Sequence, residues 1–377
     1  MKKTVNIVSA IRQFIKKETV FSAAALLAII STFFGAPIED YAGYIDYRVL
    51  SILFCLMMLV AGLREQWIFR RLAEKLTTLV HGSRGLEMIL VLLCFFSSML
   101  ITNDVALITF VPFALALMNG AGLKHRIIRV VTLETIAANL GSMLTPIGNP
   151  QNLYLYNLSG MGFGSFLIHM LPLTVISLAL LVIVVVLSKD EPMQVCFEKA
   201  DTQINKTKLV IIAILFVICM GTVIRVVPWQ ISFGIVFIVA MIFFRNLFKE
   251  VDYYLLGTFI GFFVFIGNMQ HVNSISNVLV NLLEERELTI SVLLSQVISN
   301  VPAAMLLSGF TTNYEKLLYG VNIGGLGTLI ASLASLISYK FYAVTPNSQK
   351  GKYLITFTGW NLLFLALLMF MAVGVLG

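Results

Sequence analysis

Charge is what this sequence has least of. Only 12% of its 377 residues are Asp, Glu, Lys or Arg and 59% are apolar, with a mean hydropathy of +0.93. Soluble domains carry about 25% charged residues, so the chain reads as an all-α polytopic membrane protein. Cysteine is also scarce. Cys55, Cys94, Cys196 and Cys219 show no CxxC spacing, which argues against both a disulfide framework and a zinc site. No HExxH stretch occurs, and an intramembrane aspartyl protease would need two facing membrane carboxylates. The reading is therefore not an enzyme. The formal charge of +7 does not indicate nucleic acid, because Lys and Arg fall between apolar runs and not on one basic face. The opening MKKTVNIVSAIRQFIKKETV imitates a signal peptide. Its basic stretch is long and no A-x-A site follows, which favours an uncleaved first span.

What is present is a series of about nine apolar spans, near 19–36, 47–63, 126–157, 163–188, 208–227, 231–245, 252–272, 317–341 and 352–376. Two more apolar stretches, 86–119 and 288–313, have polar residues at their midpoints: Thr102-Asn103-Asp104 and Ser299-Asn300-Val301-Pro302. Non-helical backbone survives at membrane depth only where protein or water satisfies it, so each is read as a re-entrant hairpin. Charge sidedness agrees. With the N-terminus cytoplasmic, 22 of the 26 Lys and Arg fall inside, leaving Arg48, Arg225, Arg286 and Lys316 outside. Letting either hairpin cross would switch every later loop and destroy that bias.

The hairpins align. SSMLITNDVAL (97–107) answers to SQVISNVPAAM (295–305) through an Ile-(Thr/Ser)-Asn core, and NLGSMLTPIGNPQNL (139–153) answers to NIGGLGTLIASLASL (322–336). Five crossings separate the span at 47 from its counterpart at 252, so the second copy is inverted. Inverted repeats with Gly/Pro-interrupted spans at matching positions point to a secondary transporter and to its site. On this reading 1–188 is the first repeat, 189–207 a cytoplasmic linker and 208–377 the second repeat.

Gly141, Pro146, Gly148 and Pro150 break the span at 126–157. Proline removes a donor and glycine loosens the helix, which frees carbonyls for Na⁺ and amides for an anion. Asn139, Ser142, Thr145, Gly148, Asn149 and Asn152 are candidate binding residues there. Asn322, Gly324 and Thr328 answer them in the second break, which has no proline. A kink that only shapes packing is the bland alternative. At the tips the candidates are Thr102, Asn103, Asp104, Ser299 and Asn300, with Asn103, Asp104 and Asn300 as a candidate Na⁺ set. An Asp at this depth ligates a cation, carries a proton, or caps its own hairpin in neutral form. Glu134 is a second acidic candidate, or else pairs with Arg129. His169 and His271 sit near span ends and read as interfacial. Residues 65–80 and 273–287 have amphipathic spacing suited to helices lying on opposite membrane surfaces.

Taken together, TNDVALITFVPF, GSMLTPIGNPQN, SNVPAAMLLSGF and GVNIGGLGTLIASLAS resemble the ion transporter superfamily, near its arsenite permease, NhaD-type antiporter and citrate-transporter-like branch. The resemblance runs from about residue 20 to residue 377. It implies an elevator mechanism, in which 85–188 and 288–377 slide against a scaffold of 19–84 and 208–287. Dicarboxylate carriers among these relatives use Ser-Asn-Thr at both tips to hold Na⁺ and a carboxylate. Here both third-position Thr residues are replaced, by Asp104 and Val301, which leans away from a dicarboxylate and toward the arsenite and antiporter branch. A homodimer is a further expectation, although the first span lacks the partner helix of larger relatives.

The expected function is secondary active transport of a small anion, a carboxylate or inorganic oxyanion, coupled to Na⁺ or H⁺. No resident cofactor and no nucleic acid are expected, and the expected location is the cell (inner or cytoplasmic) membrane. The alternative is a Na⁺/H⁺ antiporter or an arsenite or antimonite exporter with Asp104 as the carrier. A passive channel would share the hairpins but would show no coupling.

Overall fold

The structure, a computed structural model, describes residues 12–15, 18–34, 37–80, 82–193 and 204–376. Cys196, most of the linker at 189–207 and the basic stretch before Arg12 lie outside those residues. The regular elements among the described residues are helical, and an isolated bridge joins Gly82 to Pro192. In chain order, α1 is Thr19–Ser31, α2 Tyr41–Tyr44, α3 Tyr47–Glu65, α4 Ile68–Thr77, α5 Ser83–Ile101 and α6 Asn103–Gly120. Then come α7 Ile127–Ser142, α8 Pro150–Ser159, α9 Phe163–Val186, α10 Lys206–Val223, α11 Trp229–Phe243 and α12 Tyr253–Gln270. The chain continues through α13 Asn273–Leu283, α14 Glu287–Ile298, α15 Asn300–Ser308, α16 Tyr314–Ile323, α17 Leu333–Ala343 and α18 Lys350–Leu376.

Seven of these helices (α3, α5, α6, α9, α10, α12 and α18) are long and apolar enough to cross a membrane. Their burial separates a core from a rim. The apolar windows of α3 and α5 are 61% and 56% buried, those of α10 and α18 only 28% and 22%. Rim side chains such as Ile355 and Phe370 stand almost fully exposed. Apolar surface on that scale is stable facing hydrocarbon and costly facing water, so the rim is the lipid-facing layer of a multi-pass membrane protein.

The apolar stretches at 86–119 and 288–313 each fold as a helix pair divided at the polar midpoint: α5/α6 at Thr102 and α14/α15 at Ser299. The pairs differ in size. At 1.5 Å per residue, the arms of the first are about 28 and 27 Å long and those of the second about 18 and 14 Å. The stretches at 126–157 and 317–341 are interrupted, α7/α8 by residues 143–149 and α16/α17 by residues 324–332. In each half the first arm packs along the helix that leads into the break, α5 on α7 and α14 on α16.

Small residues allow the closest scaffold contact. Gly257 and Gly261 on α12 face Phe21 and the Ala24 backbone on α1, and a Cβ at Gly261 would stand 3.0 Å from the Ala24 carbonyl oxygen. Helices in lipid gain by such close approach, because no hydrophobic drive distinguishes neighbouring helices from lipid tails. The charged groups collect at two ends of the bundle. At one end Arg64 pairs with Glu250, Arg126 with Glu191, and Arg84 with the Ser188 carbonyl. At the other, Arg225 bonds the Gly160 carbonyl, Arg48 the Thr222 carbonyl, and His169 pairs with Glu315.

Candidate functional site

The two hairpin tips share one backbone geometry. Thr102 has φ 70° and ψ 152°, and Ser299 has φ 75° and ψ 156°. That region of backbone space is essentially reserved for glycine, so each tip holds a side chain under strain. Each tip is docked onto its own break by the same bond: Asn103 N–H donates to Gly148 O (3.2 Å) and Asn300 N–H to Ala331 O (3.0 Å). A second strap repeats as well, with the Thr145 hydroxyl donating to Met99 O and the Thr328 hydroxyl to Gln296 O. The residue that opens the helix after each break is extended, Asn149 at φ −145° and Ser332 at φ −143°. Gly141 and Gly324 occupy equivalent places against the hairpins. A Cβ would run into the Phe95 carbonyl at Gly141 and into the Ser295 side chain at Gly324. At Gly148 it would meet the Ser142 carbonyl, so the first break closes only around glycine.

Between the tips lies a buried amide network. Asn103 donates from Nδ2 to Asn139 Oδ1 (2.9 Å), which also accepts from the Ser332 hydroxyl (3.1 Å). Asn322 donates to Asn152 Oδ1 (2.7 Å), and Asn152 Nδ2 faces the carbonyls of Ser142, Met143 and Thr145 at 3.3 Å each. Asn149 Nδ2 donates to the Ser142 hydroxyl (2.7 Å), while Asn149 Oδ1 has no partner. All of these side chains are nearly inaccessible to solvent. Buried amides without partners would cost a few kcal/mol each, so the network fixes how the two breaks face each other.

Four helix N-termini (α6, α8, α15 and α17) and four C-termini (α5, α7, α14 and α16) meet in this region, since each tip bonds its break and the breaks bond each other. N-termini present amides and favour anions, whereas C-termini present carbonyls and favour cations.

Asp104 looks elsewhere. It lines a cavity of about 180 Å³ with Thr102, Asn149, Arg64, Glu250 and Asp252. Asn103 and Asn300 do not line that cavity, and Asn103 turns to Asn139. Among the described residues no group of three or more His, Cys, Asp or Glu converges for a metal ion. Glu134 does not pair with Arg129. Arg129 donates to Glu87 (2.8 Å) and to the Val184 carbonyl (2.7 Å), and Glu134 is fully buried with neither oxygen hydrogen-bonded.

The tip and break candidates thus divide by place. Asn103, Asn139, Ser142, Asn149, Asn152 and Asn322 form the amide network. Ser299 and Asn300 hold the second tip beside Gly325 and Ala331. Gly148, Gly324, Thr145 and Thr328 shape or strap the breaks, and Thr102 and Asp104 open onto the cavity.

Two residues escaped sequence reasoning. Asp252 caps α12 by accepting from Leu255 N–H (2.9 Å) and reaches the Asp104 cavity. Its signal was present, because Asp46-Tyr47 and Asp252-Tyr253 each open a helix and Asp46 caps α3 in the same way. Gln296 holds the second break together, donating to the carbonyls of Gly324 and Leu326 and accepting from Thr328 N–H (each 2.9 Å). Its equivalent in the first hairpin is Met99, so no pattern marks it.

Sequence comparison agrees with this architecture. Residues 8–316 match the family model described as citrate transporter. An uncharacterized transporter of Methanocaldococcus jannaschii is 32% identical over 317 residues, covering 82% of this chain and 85% of that protein. The inner membrane protein YbiR of Escherichia coli K12 is 32% identical over 328 residues, 85% of this chain and 87% of its own. A silicon efflux transporter of Oryza sativa subsp. japonica shares 33% identity over 153 residues, 40% of this chain and 31% of its own. The chain belongs to the citrate transporter family, and it is a membrane transporter.

Proposed function

We propose that the chain is a secondary active transporter that moves a small anion, a carboxylate or inorganic oxyanion, coupled to Na⁺ or H⁺ by an elevator-type displacement of an inverted repeat. The observation that carries this is the residue-by-residue match of the two tips and breaks: Thr102 with Ser299, Asn103 with Asn300, Asn139 with Asn322, Gly148 with Ala331. Matched broken helices facing each other are how transporters build a midplane site. The first hairpin's arms are long enough to span, yet its tip is bonded at the break of α7/α8, about 24 Å along α7 from its start. That docking supports a re-entrant hairpin, and the Lys and Arg distribution supports a cytoplasmic N-terminus.

Converging helix N-termini supply the anion with amides where the tips offer no fixed cation, and the adjacent C-termini suit a co-bound cation. Relatives carry names as different as citrate transporter and silicon efflux transporter. That spread supports a cargo chosen by residues of the site and not by the fold. The name of the Escherichia coli relative supports placement in the inner membrane.

A second reading, a Na⁺/H⁺ antiporter or an arsenite or antimonite exporter, is favoured by one observation: Asp104 opens onto a cavity that it shares with Asp252. Proteoliposomes loaded against citrate, succinate, sulfate, arsenite and Na⁺/H⁺ gradients separate the two. The expected result is anion flux that follows an imposed Na⁺ or H⁺ gradient and is lost in Asp104→Asn. Carboxylate transport unchanged in that variant removes Asp104 from coupling, and cation exchange without anion flux favours the second reading.

A further inference from the structure

The loop that joins α6 to α7 and the loop that joins α17 to α18 come from different halves of the chain, yet they line one cavity of about 540 Å³. It lies at the charged end that holds the Arg126–Glu191 pair, and Asn119, Lys124, His125, Thr345, Ser348 and Lys352 are among its walls. No Asp or Glu lines it. Glu191 engages His125 and Arg126, whereas Lys124 and Lys352 make no ion pair among the described residues. The cavity is thus left with two uncompensated cations, one from each half.

The wall from the second half is held in place by its own bonds. Gln349 N–H donates to the Tyr342 hydroxyl (2.9 Å), Thr345 N–H to the Tyr342 carbonyl (3.0 Å) and the Ser348 hydroxyl to the Ala343 carbonyl (3.1 Å). From this turn starts α18, a helix of 27 residues, and the N–H groups of Lys350, Gly351 and Lys352 meet no acceptor among the described residues. Orphan amides at the positive end of a helix dipole favour an anion, the same charge that the lysines favour. Three amides and two ammonium groups are more donors than the two oxygens of a carboxylate use, and they match the several oxygens of a phosphate. The surroundings also suit a lipid. α18 belongs to the lipid-facing rim, and Ile355, 77% exposed, stands close to one turn beyond Lys352. Basic pockets between membrane helices are where anionic headgroups seat.

We propose that this cavity binds an anionic phosphate group, held by Lys124 from the first half and by Lys352 and the first amides of α18 from the second, and that the bound phosphate ties the two halves together at this membrane surface. The site shares no lining residue with the Asp104 cavity and contains none of the amide network. Its binding is therefore tested without transport and does not depend on the transport reading.

The full chain is melted in phosphatidylcholine nanodiscs doped with increasing phosphatidylglycerol, and in undoped nanodiscs with increasing inorganic phosphate against chloride at constant ionic strength. A saturable rise in melting midpoint is expected, because a ligand of the folded state stabilises it. A rise with phosphatidylglycerol alone assigns the site to a lipid headgroup, and a rise with inorganic phosphate assigns it to a soluble phosphate. Lys124→Gln and Lys352→Gln should each raise the half-saturating amount about fivefold. Both side chains are exposed, so both variants should melt like the wild type in undoped nanodiscs and chloride. Lys208 is exposed at the same end, where Asn205 N–H bonds Gln66, and lines none of this cavity. Lys208→Gln removes the same charge and should leave half-saturation unchanged.

No rise in either arm overturns the site. A rise that Lys208→Gln weakens as much as Lys124→Gln does also overturns it, since that is diffuse attraction to a basic surface. A response sensitive to only one of Lys124 and Lys352 rejects the tie between the halves.

Discussion

At the scale of single residues the most informative positions are Thr102 and Ser299, because they adopt a backbone conformation that their side chains oppose. Strain of this kind costs about 1–3 kcal/mol per residue and persists only where the surroundings hold it. Here the holding bonds are the amide links of Asn103 and Asn300 to the breaks. Glycine adopts the same conformation freely but loses about 0.5–1 kcal/mol in added chain entropy. Ser299→Gly and Thr102→Gly should each stabilise the fold by about 1 kcal/mol net, read as a higher melting midpoint in nanodiscs. Thr102→Gly should also lose transport, because its side chain lines the Asp104 cavity. Lower melting midpoints in both variants would mean that the tips are not strained.

At the scale of elements, the clamp between α5, α7 and the end of α9 has a pH signature. Ser83 N–H donates to Glu191 O, Glu191 N–H to the Ser83 hydroxyl, and Arg126 to the Glu191 carboxylate (2.9 Å). The Arg126 guanidinium first, and the His125 ring second, hold the Glu191 carboxyl below its ordinary value of 4.5. A lowered carboxyl pKa contributes stability above the unfolded value and loses it as pH falls through the folded one. Melting midpoints should therefore drop as pH is lowered below about 4.5, and the drop should be shallower in Glu191→Gln. Identical slopes for wild type and variant would remove Glu191 from the clamp's energetics.

Elements were also what the sequence displayed best. Polar midpoints at 102–104 and 299–302 marked both hairpins, and Gly/Pro spacing marked the first break, because those residue types act on the backbone locally. The second break rests on glycine alone and was still found by alignment to the first. Side-chain pairing was less legible. Pairing with Arg129, its neighbour along α7, was one of two readings of Glu134, but Arg129 turns to Glu87 on α5, a contact fixed by packing that spacing along one chain does not encode. Asn103 bonds Asn139 while Asp104 lines the cavity, because successive helix residues point in different directions.

At the scale of the whole molecule, two cavities open toward opposite charged ends. One of about 510 Å³ is lined by Arg64, Trp67, Arg70, Ile108 and Pro112, and shares Arg64 and Ile108 with the Asp104 cavity. The other, about 810 Å³, is lined by Asp46, Tyr154, Glu287, Ser308 and Thr311. Under the proposed orientation, Ile108→Cys should react with a membrane-impermeant maleimide only in inside-out vesicles, and Thr311→Cys only in right-side-out ones. A Cys196→Ser background serves for this, because Cys55, Cys94 and Cys219 are buried. Reaction of both positions from one side would overturn the orientation.

The amide network has a mechanical meaning at this scale. Asn322 of the second break is bonded to Asn152 of the first, and Asn139 of the first accepts from Ser332 of the second. Each half carries a member of the other's bond set, so the two breaks are tied together and, in the proposed displacement, would advance as one. Under the proposed coupled mechanism, such interlocking would suppress slippage, the futile stroke in which an ion crosses and its cargo does not.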